Sequence, residues 1–105
     1  MASSERNYHR RGPYFDGTNF ASWKHKMKMH ILGHNPAVWV IVCIGLQGEF
    51  FDGREPNREA SADELKMLQY NAQACDILFN GLCPEEFNKI SRLENAKEIW
   101  DTLID

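Results

Sequence analysis

Three histidines, His25, His30 and His34, are the side chains in this sequence that most invite a metal-binding interpretation. His30 and His34 are four residues apart, so they would share one face of a helix that continued through Gly33. The zinc-protease pattern, however, requires a glutamate directly after the first histidine, and isoleucine stands there. Neither a phosphate-binding glycine loop nor a nucleophile elbow is present in the sequence. We therefore expect no enzymatic activity, no metal and no cofactor.

The cysteines offer a second kind of chemistry. Cys43, Cys75 and Cys83 are odd in number, and no two of them form a Cys-x-x-Cys pair. Zinc fingers and disulfide frameworks depend on regular cysteine spacing, which is missing here. The pattern predicts buried, reduced thiols.

Basic side chains form the third candidate site. Residues 1–34 carry six Lys or Arg against two acidic residues, whereas the remainder carries six against thirteen, for a net charge of −3. Arginines near aromatic rings can neutralise phosphates while the rings stack on bases. An ordinary solvated surface explains the same charges, and both interpretations stay open. The candidate RNA or partner contacts are Arg6, Arg10, Arg11, Lys24, Lys26 and Lys28.

Composition limits what class of protein this is. A chain of 105 residues, 43% apolar and 26% charged, suits one globular domain with a modest core. Its longest apolar run, Ala37 to Ile44, is far shorter than the about 20 residues that span a bilayer. The N-terminus lacks the apolar stretch of a secretory signal, and Ala2 stands where myristoylation needs glycine. We expect a protein without membrane contact.

Apolar spacing predicts helices that could position these groups. Residues 1–13 lack periodicity and predict a flexible basic arm, followed by a helical domain over residues 14–105. The first helix is predicted to start at Asn19 as the capping residue and to end at Gly33. Asn35-Pro36 is typical of a second helix start. The following stretch Ala37–Ile44 is β-branched, so strand and helix compete there, with the Asn-Pro start favouring helix.

The second half of the chain contains clearer start signals. Residues 45–60 predict a long exposed loop, and Ser61 with Glu64 then forms a capping box. Pro84 begins a short helix, and Asn95 caps a last one. In the helix after Ser61, the predicted buried stripe is Leu65, Leu68, Ala72, Cys75 and Phe79. The predicted core is Phe20, Trp23, Met27, Ile31, Trp39, Leu65, Leu68, Phe79, Trp100 and Leu103.

Four short motifs follow one another along residues 14–105. The first is Phe15-Asp16-Gly17-Thr18-Asn19-Phe20-Ala21-Ser22-Trp23, continued by Met27, Met29 and Leu32. The second is Trp39, sixteen residues after the first tryptophan, and the third is Ala72, Ala74, Ile77, Leu78 and Leu82. The fourth is Ala96-Lys97-Glu98-Ile99-Trp100-Asp101-Thr102-Leu103. In this order and spacing they resemble the N-terminal part of the Gag protein of copia-type retrotransposons, which abound in plant genomes.

The resemblance implies an all-α fold, a small bundle of about five helices similar to the N-terminal lobe of a retroelement capsid, with a helix at Ala37–Ile44. It implies a structural protein that self-associates and packages element RNA in cytoplasmic virus-like particles, with no small-molecule substrate. A full Gag continues into a second lobe, and the last helix here has no stop signal before Asp105, so we expect a truncated domain. A host protein derived from such a Gag is a variant of this interpretation. The alternative is a small nucleic-acid-binding or protein-interaction module that uses the basic N-terminal third.

Overall fold

The computed structural model describes residues 12–51 and 59–104, apart from the side chains of Glu49 and Ile104. Within these ranges there is no β-strand, so the predicted all-α bundle of about five helices is confirmed. Helix α2 lies centrally and contacts α1, α3 and α5. No helix in the described part is long and apolar enough to cross a membrane. The elements are α1 (Phe20–His34), α2 (Pro36–Ile44), a 3-10 turn (Glu49–Phe51), α3 (Ala62–Asn80), α4 (Pro84–Ile90) and α5 (Ala96–Ile104).

Helix α1 begins directly after Asn19, but Asn19 does not cap it as expected. Its backbone is left-handed (φ 54°, ψ 51°), and its side chain makes no capping hydrogen bond to α1. Asparagine tolerates this conformation better than most residues, so it serves the turn instead of the cap. The preceding loop is held by Asp16, whose carboxylate accepts hydrogen bonds from the N–H and hydroxyl groups of Thr18 at 3.0 and 2.7 Å.

The prediction that Gly33 ends α1 is wrong, because the helix continues to His34. The break comes at Asn35, which is extended (φ −166°, ψ 112°). Proline disfavours a helical conformation in the residue before it, so Pro36 stops α1 and also begins α2. The side chain of Asn35 accepts a hydrogen bond from the N–H of Ala37 at 2.9 Å. The competition between strand and helix over the following residues is thus settled in favour of the helix.

Pro13, the last residue of the predicted arm, contacts the domain. The carbonyl of Pro13 accepts a hydrogen bond from the indole N–H of Trp23 at 3.4 Å. Phe15 then forms an isolated parallel bridge with Leu82, with its N–H donating to Gly81 at 2.7 Å and its carbonyl accepting from Cys83 at 2.9 Å. The segment before α1 is therefore bound to the loop after α3. Residues 1–11 lie outside the described residues.

An aromatic cluster lies where α1, α2 and α5 meet. The ring centroids of Trp23 and Trp100 are 5.9 Å apart, and those of Trp39 and Trp100 are 5.4 Å apart with perpendicular planes. Phe15 continues the cluster at 5.3 Å from Trp23. Tilted and edge-on pairs of this kind are favoured by the ring quadrupoles. Around the cluster, Met27 and Ile31 are fully buried, and Phe20, Trp39, Phe79 and Leu103 are partly buried against the core.

Helix α3 starts with the predicted capping box. The hydroxyl of Ser61 accepts from the N–H of Glu64 at 3.2 Å, and the carboxylate of Glu64 accepts from the N–H of Ser61 at 2.8 Å. The predicted buried stripe of α3, however, needs correction. Leu65 is 56% exposed and Leu68 is 38% exposed. Ala72 is also exposed. Cys75 is the residue of the predicted stripe that α3 does bury, together with Asn71, Ala74 and Leu78.

The buried face of α3 differs from the predicted stripe because a polar residue of this helix packs inward. Apolar spacing alone places Leu65 and Leu68 on the buried side of α3. Asn71 is only 6% exposed, because both ends of its side-chain amide are hydrogen-bonded to the segment before α5. A buried polar group is stable when it is paired in this way. The apolar residues of the predicted stripe are consequently displaced toward solvent.

The remaining connections follow the predicted start signals. Pro84 occupies the first turn of α4, and Ile90 at its end is fully buried. The side chain of Asn95 accepts from the N–H of Lys97 at 3.0 Å, which confirms it as the cap of α5. The loop after α2 is not exposed throughout as predicted, because Gly45 (φ 76°) is buried. Residues 52–58 of that loop lie outside the described part.

Candidate nucleic-acid interface

A cleft on one side of α1 brings basic and aromatic side chains together. Lys24 and Lys28 are one helical turn apart, so they lie on the same flank of α1. Between them and the neighbouring helices is a cleft of about 280 Å³, which His25 also lines. Trp39 of α2 and Trp100 of α5 form its aromatic side. Two consecutive helices and the distant α5 thus build one site.

The indole of Trp39 is the aromatic surface of this cleft. It is half-buried, and its ring stands edge-on to Trp100 at 89°. The ammonium nitrogen of Lys28 lies 5.9 Å from the centroid of the Trp39 ring, within the range of a cation–π interaction. A rigid indole beside mobile ammonium groups is the arrangement that single-stranded nucleic acid binders use, with bases on the ring and phosphates on the cations.

The electrostatics of the cleft favour an anion. Among the described residues that line it, two are lysines and one is histidine, and none is acidic. Positive charges on a concave surface raise the local concentration of polyanions and their rate of association. The described lining of the cleft therefore suits phosphate groups by its charge.

The structure separates the six basic residues that the sequence grouped as candidate contacts. Lys24 and Lys28 line the cleft, whereas Lys26 is exposed on another side of α1. The helical period explains this, since positions two apart point about 200° away from each other. The three arginine candidates, Arg6, Arg10 and Arg11, lie outside the described residues. Trp39 and Trp100, which the sequence assigned to the core alone, also line the site.

The histidine pair lies on one face of α1. Because α1 continues through Gly33, His30 and His34 stack with ring centroids 6.5 Å apart. Burial, and then the neighbouring His34, lower the pKa of His30 below the ordinary histidine value. Gly12 also lies against His30, because a Cβ at Gly12 would be 2.7 Å from the His30 ring. In the described part of the chain, no group of three metal-ligating side chains is found.

The cysteines do not share one environment as predicted. All three are free thiols, but Cys43 is exposed and Cys83 is intermediate, so the expectation of burial is correct only for Cys75. The Cys75 thiol donates to the carbonyl of Glu94 at 3.6 Å. Burial, and then the charge of Glu94, raise the pKa of the Cys75 thiol to about 11. A thiol held in its protonated form is a poor nucleophile, so Cys75 is structural.

Comparison of the chain with protein-family models, with curated proteins and with solved structures finds no match.

Proposed function

We propose that this chain is a Gag-like structural protein of a copia-type retrotransposon, or a host protein derived from one, that self-associates and packages RNA. In that role it belongs in cytoplasmic virus-like particles and has no enzymatic activity. The proposal combines the order of the four motifs with the surfaces that the helical bundle exposes. The motif order and the exposed surfaces support the proposal independently of each other.

The observation that carries the proposal is the exposed side of α2. This helix is apolar on every side, a composition that normally belongs to a fully buried helix. Only part of it is covered: Val38, Ile41 and Val42 are buried, whereas Val40 is 50% and Ile44 is 45% exposed. Val40 and Ile44 are one turn apart and form an apolar stripe. Apolar stripes on a small domain commonly mark protein–protein contacts.

The positions of the motif residues add support for the resemblance. Phe15 and Trp23 of the first motif, Trp39 of the second and Trp100 of the fourth all belong to the aromatic cluster. Residues that are scattered in sequence but packed together in space are required jointly by the fold. The motif residues therefore belong to one packed core, as expected of residues that define a family.

Sedimentation velocity over a wide protein concentration range tests self-association. We expect concentration-dependent oligomers in the absence of RNA, and we expect Val40→Lys to reduce them because it places a charge in the stripe. Met29→Lys is the matched control, since Met29 is 52% exposed on α1 and lies outside the stripe. A monomer at every concentration, or equal effects of the two substitutions, would contradict the proposal.

The second candidate function, a small nucleic-acid-binding module, is favoured by the cleft of Lys24, Lys28 and Trp39. The two functions differ in their response to salt. Binding through phosphates weakens steeply between about 50 and 200 mM salt, because condensed counterions are released. Apolar self-association is unchanged or strengthened by salting-out ions. A chain that stays monomeric and binds single-stranded RNA only at low salt would favour the module.

A further inference from the structure

A groove along α3 is a second surface concavity, separate from the cleft. It has a volume of about 760 Å³ and lies between α3 and the segment that leads into α5. Its apolar lining comes from Leu46, Leu68, Ala72, Phe79 and Leu93. Leu68 is among the residues that the sequence assigned to the core, so the displaced stripe of α3 is one wall of this groove.

The floor of the groove has its polar groups already engaged. Asn71 donates to the carbonyl of Glu94 at 2.7 Å and accepts from the N–H of Ala96 at 2.9 Å. The Cys75 thiol also donates to Glu94. Because these hydrogen-bonding groups are already paired within the fold, a polar ligand would gain few hydrogen bonds at the floor of the groove. It is suited to apolar or aromatic side chains, whose burial stabilises a complex without leaving unpaired groups.

The charged residues of the groove all have one sign. Asp76 of α3, Glu94 and Glu98 line it, and no Lys, Arg or His does so among the described residues. A ligand that matches the groove therefore combines an apolar or aromatic anchor with positive charge beside it. Opposite charges around an apolar centre increase the association rate and suppress wrong partners.

One segment of this chain has that composition. The first eleven residues contain Arg6, Arg10 and Arg11 around Tyr8, with Glu5 as the only acidic residue. The tyrosine ring supplies an anchor with little rotamer entropy to lose, and the arginines can pair with carboxylates in a bidentate geometry. We propose that the groove binds the basic N-terminal segment of a second copy of the chain.

The position where the described chain begins favours a second copy over the same molecule. Its first residue is Gly12, where a Cβ would lie 2.7 Å from the His30 ring of α1. Among the described residues, none of those that line the groove belongs to α1. The described chain therefore begins beside a helix that takes no part in the groove. Binding between copies joins them head to tail, with different surfaces on the two partners.

This inference rests on the proposed self-association and specifies the surfaces involved. A direct test uses a fluorescently labelled peptide with the sequence of residues 1–13 as probe. The receiver is the full chain carrying Arg6→Glu, Arg10→Glu and Arg11→Glu, so that its own segment does not compete. We expect saturable one-to-one binding by fluorescence anisotropy, weakened as salt rises from about 50 to 200 mM.

Two substitutions in the receiver localise the binding. Leu68→Lys places a positive charge in the groove and should weaken peptide binding by about tenfold or more. Leu65→Lys is the matched control, because Leu65 lies one turn earlier on α3, is more exposed and does not line the groove. It should change binding by less than about twofold. Both sites are exposed, and circular dichroism verifies that both variants keep their helices.

Sedimentation of the chain with its native N-terminal segment then separates this inference from the proposed function. Oligomers that are lost with Leu68→Lys and with the triple arginine variant, but kept with Leu65→Lys, support both. Oligomers that persist in all three variants overturn the groove inference and leave self-association standing. A chain that binds the peptide but sediments as a monomer overturns the second copy as occupant, and with it the proposed self-association. Equal loss of peptide binding with Leu68→Lys and Leu65→Lys overturns the groove as the site.

Discussion

Asn71 accepts a hydrogen bond from the backbone N–H of Ala96 at 2.9 Å, across twenty-five residues of sequence. Its amide group also donates to the carbonyl of Glu94 at 2.7 Å. One buried side chain of α3 therefore satisfies a free N–H at the start of α5 and fixes the segment before it. Asn95, directly before α5, completes the same start by accepting from the N–H of Lys97. The position of α5 thus depends on a polar residue of α3.

Replacing Asn71 by alanine should therefore destabilise the domain strongly. The substitution leaves the buried N–H of Ala96 without a partner and the carbonyl of Glu94 with only the thiol of Cys75, so we expect the free energy of unfolding to fall by about 2–4 kcal/mol. Urea unfolding monitored by tryptophan fluorescence measures this, since Trp100 is on α5. Asn80→Ala is the control, because Asn80 is exposed and bonds only to Asp76 one turn before it. Similar losses of stability in the two variants would contradict the conclusion that Asn71 holds the start of α5.

The aromatic cluster should be the largest single contribution to stability. Trp23 is 4% exposed and contacts Phe15, Phe20 and Trp100. Trp23→Ala should cost about 3–5 kcal/mol, enough to unfold a small domain. Thermal unfolding by circular dichroism checks this against Met29→Ala, an exposed site on the same helix. A thermal midpoint unchanged in Trp23→Ala would show that the cluster is not the core.

RNA binding should depend on Lys24 and Lys28 and be insensitive to Lys26. Each phosphate contact adds about 0.7 to the slope of log K against log salt for single strands. Lys24→Ala with Lys28→Ala should therefore weaken the binding of a labelled oligouridine and lower that slope by about 1.4. Lys26→Ala removes one charge of the same kind from another side of α1 and should leave the slope nearly unchanged. If Lys26→Ala lowers the slope by about 0.7, half the effect of the double variant, binding is due to net charge and not to the cleft.

Stability should decrease as the pH falls below the ordinary histidine range. Burial lowers the pKa of His30 in the folded chain, so the unfolded chain binds more protons between that lowered value and about 6.5. The free energy of unfolding therefore rises with pH across this window. The stability that the neutral His30 contributes is lost as the pH falls through it. Urea unfolding at pH values of about 5.5 and 7.5 should show a smaller difference for His30→Gln than for the unchanged chain. His25→Gln, at an exposed position, should keep the full difference.

Much of the secondary structure could be predicted from short-range patterns. The capping box at Ser61, the prolines at 36 and 84 and the cap at Asn95 each mark a helix start within about four residues of sequence. Such signals are readable because the hydrogen bonds they make are local. Where two local signals competed, the stronger constraint prevailed. Gly33 merely lacks a side chain and did not stop α1, whereas Pro36 restricts the backbone of Asn35 and did.

A further group of wrong predictions concerns which side of a helix is buried. Leu65 and Leu68 fit an apolar stripe along α3, yet Asn71 faces inward because its partners lie twenty-three and twenty-five residues later. Periodicity contains no information about those partners. For the same reason Trp39 was assigned to the core alone, although it also faces the lysines of α1 across the cleft.

The sequence by itself determined that this protein is an all-α bundle and where most of its helices start, because caps and prolines act on adjacent backbone. Only the tertiary structure decided which two of the lysines meet Trp39 and which leucines are left in a groove. Those placements depend on hydrogen bonds and packing between segments that are far apart in the chain, such as Asn71 with Ala96 and Phe15 with Leu82. Contacts of this kind form only when the whole bundle folds.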